Sequence, residues 1–339
     1  FNPPIINEDL GIRKSLNEEV TRIVNEFISH NVQTLVFKVT RKDVEKSLKI
    51  IKELNPLRSN EFASAHRSGY LAEDRRKLED DFRSGRIKVL FSTNALELGI
   101  DIGGLQSVIL SGYPGTISST LQQIGRAGRK QSEALAILVA SSNPIDQYII
   151  KRPEYLFVRT PENALINPNN PNILIEHLKI ALGELSFVEK ENFGNLNWDQ
   201  IVEYMDQFVH EGFAVKNKNK YLIINPSRLE NNISLRNLSG NTMKLINVTN
   251  DSKIIIGEID YSSSLWMTHP NAIYLHMGDQ YQVIDIDFNN NEIYLKEIIT
   301  NYFTEPKLEK TYEIIDNYQT SFLEKLTLNF GKIKVTQKV

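Results

Sequence analysis

Apolar positions along residues 1–150 switch between two periods. At 18–28 they recur at helical spacing (Val20, Ile23, Val24, Phe27), and an apolar run at 34–39 follows, short enough for a buried strand. The spacing predicts a second helix over 43–54 with Val44, Leu48 and Ile51 on one face. It then predicts a helix over 72–82, strands at 88–92 and 107–111, a helix over 116–125 and a strand at 134–140. Short apolar strands separated by amphipathic helices imply a parallel sheet covered on both faces. Ligand chemistry in such a fold belongs to the loops at the C-terminal ends of the strands.

The pattern breaks at 160–171, where Pro161, Pro168 and Pro171 stand among four asparagines. Beyond it, helices are expected over 172–185 and 198–211, then strands at 213–216 and 221–224 around the turn Asn217-Lys218-Asn219. Helix, helix, hairpin is the order of a winged-helix module. Its lysines 216, 218 and 220 alternate and are expected mainly on one side, either as phosphate contacts or as a solvated edge that resists pairing. From 234 to 335 short alternating strands dominate, among them 254–259, 281–287 and 292–297, with a closing helix expected near 318–326. The expected division is therefore an α/β parallel-sheet lobe (1–160), a winged-helix-like module (161–230) and a β-rich domain (231–339).

Composition narrows the field. The chain has 339 residues and no cysteine, which removes disulfides and thiolate metal sites and fits a reducing, cytoplasmic setting. No apolar run is long enough to span a bilayer, so no membrane partner is expected. The net charge is −3, so a nucleic-acid reading must rest on local motifs. Phe1 and the ending at Val339 read as cut points in a longer chain. His269 and His276 lie seven residues apart without a thiolate nearby, and packed histidines are expected rather than a metal site. The rings of Trp198 and Trp266 are expected in the core.

Two motifs carry chemistry. The first is Gln122-Gln123-Ile124-Gly125-Arg126-Ala127-Gly128-Arg129. Two permanently charged guanidinium groups on a short loop, with glycines that allow close approach, suit a phosphate whose charge builds in a transition state. The same residues could instead be a basic helix end that satisfies carbonyls or surface carboxylates. The second motif runs from Ser92-Thr93-Asn94 to Gly99-Ile100-Asp101, directly after a buried strand. Short hydroxyl and amide groups opening a helical turn suit a phosphodiester oxygen. Asp101, acceptor-only, suits a ribose hydroxyl or an arginine. An ordinary N-cap followed by an amphipathic turn is the alternative.

Together with Phe37-Lys38-Val39-Thr40-Arg41 and His66-Arg67-Ser68-Gly69-Tyr70, these pieces resemble, in order and spacing, the second RecA-like lobe of superfamily 2 helicases of the DEAD/DEAH-box type. The run from His66 to Arg129, the segment 163–172, His177-Leu178 and the stretch from His269 are similar to the YprA/MrfA helicases and their fungal RecQ-four-like relatives. The Lhr group shares the ELGIDIG run but usually ends the finger motif in His. The resemblance implies that Thr40, Arg41, Arg67, Gly69, Ser92, Thr93 and Asn94 hold nucleic acid. Gly99 and Asp101 would face the nucleotide, and Gln123, Arg126 and Arg129 would act catalytically on ATP phosphates.

It further implies an ATP- and Mg²⁺-dependent DNA helicase, 3′-to-5′ and in DNA repair, acting on single-stranded or forked DNA. No G-x-x-x-x-G-K-[ST] loop and no Asp-Glu-x-His box occur in the sequence, so ATP is expected on an N-terminal RecA-like lobe outside it, and the chain alone should be inactive. The family's four-cysteine zinc site would likewise lie beyond Val339. The rival readings are a non-catalytic nucleic-acid-binding module and a translocase that moves on duplex without unwinding it.

Overall fold

A computed structural model describes residues 1–57, 62–98, 105–128, 133–164, 166–225, 242–324 and 326–339. The chain divides into two compact units, one of residues 1–162 with 242–339 and one of residues 163–241.

The first unit begins with a short ribbon, β1 (Ile5–Asn7) and β2 (Ile12–Arg13), then α1 (Leu16–Ser29), β3 (Thr34–Phe37) and α2 (Arg41–Leu54). Next come β4 (Ala63–His66), α3 (Ala72–Arg83), β5 (Val89–Ser92), β6 (Ser107–Ser111), α4 (Ile117–Ile124), β7 (Leu135–Val139), α5 (Pro144–Lys151) and α6 (Glu154–Phe157). Among the described residues β4-β5-β3-β6-β7 form a five-stranded sheet, parallel throughout.

Alternation along each strand divides the core. Val36, Phe91 and Ile109 face one layer, packed with Val20, Val24, Val44, Leu48 and Ile51 from α1 and α2. Leu35, Phe37, Leu90, Val108 and Leu110 face the other, packed with Phe82 and Leu96. The chain leaves β3 toward β4 on one side and returns to β6 on the other. The crevice between the C-terminal ends of β3 and β6 is therefore the topological switch point, where such sheets bind ligands.

The second unit contains α7 (Pro171–Glu184), β8 (Phe187–Val188), α8 (Trp198–His210), β9 (Ala214–Asn217) and β10 (Lys220–Ile223), with sheet order β8-β10-β9. Leu178, Ile201, Met205 and Tyr221 are fully enclosed in its core. Asn197 and Gln200 close a reciprocal capping box at the start of α8. The wing lysines do not share one side. Lys216 is paired with Tyr221 and Lys220 with Asn217, which puts 216 and 220 on opposite faces, and Lys218 sits in the turn at φ 53°. Period-2 counting fails there because the chain reverses between them. Lys216 is also tied to Asp206 at 3.3 Å.

The rest of the first unit is β11 (Thr242–Asn247), β12 (Ile254–Asp260), α9 (Tyr261–Met267), β13 (Ile273–His276), β14 (Asp279–Asp287) and β15 (Glu292–Glu297), in the order β12-β11-β15-β14-β13. Two long strands follow, β16 (Glu309–Leu323) and β17 (Leu326–Lys338), paired antiparallel and exposed along their length. They replace the helix expected near 318–326. Leu326, Leu328 and Phe330 alternate with Thr327 and Asn329, and this period of two, satisfied by cross-strand partners, overrides the local helical spacing.

The β-rich sheet is joined to the lobe at its edge strand. Gly257 in β12 bridges Tyr70, and the Glu258 N–H donates to Gly69 O at 3.1 Å. Below this joint, Arg67 and Glu45 form a pair with side chains 1% exposed, Nε to Oε1 2.7 Å. The Arg67 guanidinium also donates to Leu275 O at 3.0 Å, and Glu45 accepts from the Tyr70 hydroxyl (2.5 Å) and the Gly278 N–H (3.0 Å).

Candidate nucleotide and nucleic-acid site

The switch-point crevice is a cleft of about 490 Å³ lined by Lys38, Asn94, Glu97, Ser111, Ser119 and Gln123. Lys38 leaves the end of β3 buried, and its ammonium donates to Asn17 Oδ1 (2.8 Å) and Ser111 Oγ (3.1 Å). Burial pushes this amine down to about 8, against the opposing field of Asp43.

Glu97 is the hub of the cleft and was not singled out by the sequence. Its buried carboxylate accepts from Ser119 Oγ at 2.7 Å and from Gln123 Nε2 at 2.9 Å. Its main-chain carbonyl accepts from Arg126 Nε (3.1 Å) and Nη2 (2.5 Å). One residue in the turn after β5 therefore holds both Gln123 and Arg126. The available signal was an acidic residue between leucines directly after a buried strand.

Arg126 lies in the turn just past the end of α4. Gly125 caps that helix in a right-handed conformation, whereas Gly128 has φ 88° and donates to Leu105 O at 2.9 Å. A side chain at 128 would be strained there. The N-terminus of α4 is capped by Thr116 and by Glu162, whose carboxylate accepts from the Ile117 and Ser118 N–H groups at 2.7 and 3.0 Å. Those two donors hold the Glu162 carboxyl below its ordinary range.

The residues expected to hold nucleic acid meet different fates. Thr40 is exposed at the N-cap of α2, with its hydroxyl engaged to Asp43. Arg41 pairs with Asp260 at 3.5 Å while its side chain stays 27% exposed. Thr93 and Asn94 open a single turn, Asn94–Leu96, at the rim. Two residues do not reach the surface. Ser92 is fully buried with no partner for its hydroxyl among the described residues, because the last residue of a central strand remains inside the sheet. Arg67 is held in the joint described above, its guanidinium committed to Glu45 and Leu275. Gly69 lies in the same loop, its carbonyl spent on Glu258. Gly99, Asp101 and Arg129 lie outside the described residues.

His276 is packed between Tyr70 and Tyr281 rings, and burial together with Arg67 pushes its imidazole down to about 3. Among the described residues no group of His, Asp and Glu is arranged to hold a metal, and no helix is long and apolar enough to cross a membrane. Trp266 is 47% exposed, contrary to the expectation of a core ring.

Comparison with known proteins agrees with this geometry. The helicase conserved C-terminal domain matches residues 17–131. The ATP-dependent helicase YprA of Bacillus subtilis (strain 168) is 40% identical over 337 residues, covering 99% of this chain and 45% of YprA. A crystal structure of helicase MrfA bound to DNA superposes with a TM-score of 0.81 at 39% identity, over 99% of this chain and 45% of that one. A second, bound to DNA and AMPPNP, gives 0.75 at 41% identity, over 93% and 44%. A RecA-like parallel lobe with Gln-x-x-Gly-Arg at the end of the helix after β6 is the C-terminal lobe of a superfamily 2 helicase. The chain spans less than half the length of these relatives. Within that superfamily its similarity runs along nearly the whole chain to YprA and MrfA.

Proposed function

We propose that this chain is the DNA-gripping half of an ATP-driven motor, completed by an N-terminal lobe that holds ATP and Mg²⁺. The observation that carries the reading is the Glu97 hub at the switch-point crevice, which holds both Gln123 and Arg126 by hydrogen bonds. Arg126 brings a fixed charge, and a polyphosphate would draw it and Gln123 from their Glu97 acceptors. ATP, when bound, supplies the free energy for movement. Gln123, Arg126 and Arg129 stabilise the phosphate charge that develops, and Gly99 and Asp101 face the nucleotide. Thr40, Arg41, the Gly69 loop, Thr93 and Asn94 follow a single strand. Arg67 and Ser92, being buried, shape the track from behind rather than touch it.

The family likeness supports DNA as the substrate, since the MrfA crystals contain it. Movement 3′ to 5′ and a role in DNA repair extend the same likeness. The chain by itself does not hydrolyse ATP in this reading.

The test is ATP hydrolysis by the full-length protein, with and without single-stranded DNA, in wild type and Arg126→Ala. Removing one charged transition-state contact costs about 3 kcal/mol, roughly a hundredfold in rate. DNA-stimulated turnover that collapses in the variant while DNA binding persists supports the finger assignment. Undiminished turnover refutes it, and no turnover in the wild type favours a non-catalytic binding module.

A further inference from the structure

A second cavity, half open, lies between the N-terminal turn of α2 and the β-rich sheet, with Arg41, Lys42, Trp266, Tyr274 and Phe303 in its lining. Three features make it a built site rather than a gap. Trp266 in α9 leaves 47% of its surface open along the wall, which is unusual for so large an apolar ring. Tyr274 forms part of the lining, and its buried hydroxyl has no hydrogen-bond partner among the described residues. A polar group left in that state is costly, and a ligand edge bearing ring nitrogens or carbonyls would relieve it. The Arg41 guanidinium stands at the same lining, steered by Asp260.

We propose that this cavity receives one unstacked nucleobase of the strand that Thr40 and Arg41 follow. The inference rests on the strand-tracking reading above. An open indole offers a stacking surface to any base, the hydroxyl offers a hydrogen bond to the base edge, and the guanidinium stays near the phosphate that precedes it. Cation and ring together favour a nucleotide unit over a purely apolar ligand. The cavity lies wholly within one compact unit, so no domain closure is needed to form it.

The experiment uses the full-length protein and single-stranded oligonucleotides that carry 2-aminopurine, read by fluorescence, together with an abasic strand of equal length, read by anisotropy. Stacking on Trp266 should quench the 2-aminopurine emission. Trp266→Ala should abolish the quenching and weaken the base-bearing strand on the order of tenfold, while leaving the abasic strand unchanged. Trp266→Phe should retain part of both effects, and Tyr274→Phe guards against an effect of folding alone by removing only the hydroxyl. Equal binding of both strands by wild type and Trp266→Ala, with quenching intact, would overturn the base site while leaving the strand-tracking reading in place. Failure of the wild type to bind either strand would overturn both. Equal quenching with free 2-aminopurine nucleotide would replace the strand base by a free nucleotide and overturn the proposal as stated.

Discussion

The Arg67–Glu45 pair offers a quantitative test of how the lobe and the β-rich sheet are held together. Both side chains are 1% exposed, so neither charge has water to fall back on. Replacing Arg67 with methionine keeps most of the volume but leaves the Glu45 carboxylate with two neutral donors, the Tyr70 hydroxyl and the Gly278 N–H. Stranding one member of a buried pair costs about 3–5 kcal/mol. In a unit of this size that corresponds to a fall of roughly 10 °C in the unfolding midpoint. The assay is calorimetric unfolding of wild type, Arg67→Met, Glu45→Gln and the double variant. Glutamine retains an acceptor for the tyrosine and carries no charge, so the double variant should be more stable than Arg67→Met alone. A loss below about 1 kcal/mol in both single variants, with no coupling, is the behaviour of a surface ion pair and would refute the argument.

Other predictions follow from the same contacts. Glu97→Ala removes the acceptor shared by Ser119 and Gln123, and DNA-stimulated ATP turnover of the full-length protein should fall by roughly tenfold to a hundredfold; unchanged turnover would mean that Gln123 needs no positioning. His276 titrates at about 3 in the fold against its ordinary value near 6.5, so the unfolded state takes up the proton first as pH falls. Its stabilising share is whole above about pH 6.5 and declines by about 1.4 kcal/mol per unit down to about pH 3. The stability difference between wild type and His276→Phe should therefore shrink in wild type's disfavour through that window, and a flat difference would contradict it.

The lobe was legible because its signals are local. Buried parallel strands appear as short apolar runs, and the helices between them show clean stripes such as Val44, Leu48 and Ile51. The site was legible as motifs but not as contacts. Arg67 sits in a motif that names nucleic acid, yet its partners Glu45 and Leu275 lie 22 and 208 residues away, and only folding brings them together. Ser92 differs for the opposite reason: it is the last residue of β5 and buried in the sheet, although its motif suggests the opening of a helical turn. Glu97 went unnoticed because its role depends on α4, which returns to it after a crossing of the sheet. The helix expected near 318–326 failed because β17 supplies cross-strand partners that a local window does not see.

The pairing of Gly257 with Tyr70 carries a mechanical consequence. A side chain at 257 would run into Gly69 O, so the glycine lets two backbones lie in direct contact. The Glu258 N–H is bonded across the same point and Arg67 is held by Glu45 beneath it, so main-chain contact and a buried ion pair tie the β-rich sheet to the lobe at one place. Two backbones in contact, rather than side chains alone, therefore register the β-rich sheet against the loop that follows β4, and that register tolerates no side chain at 257.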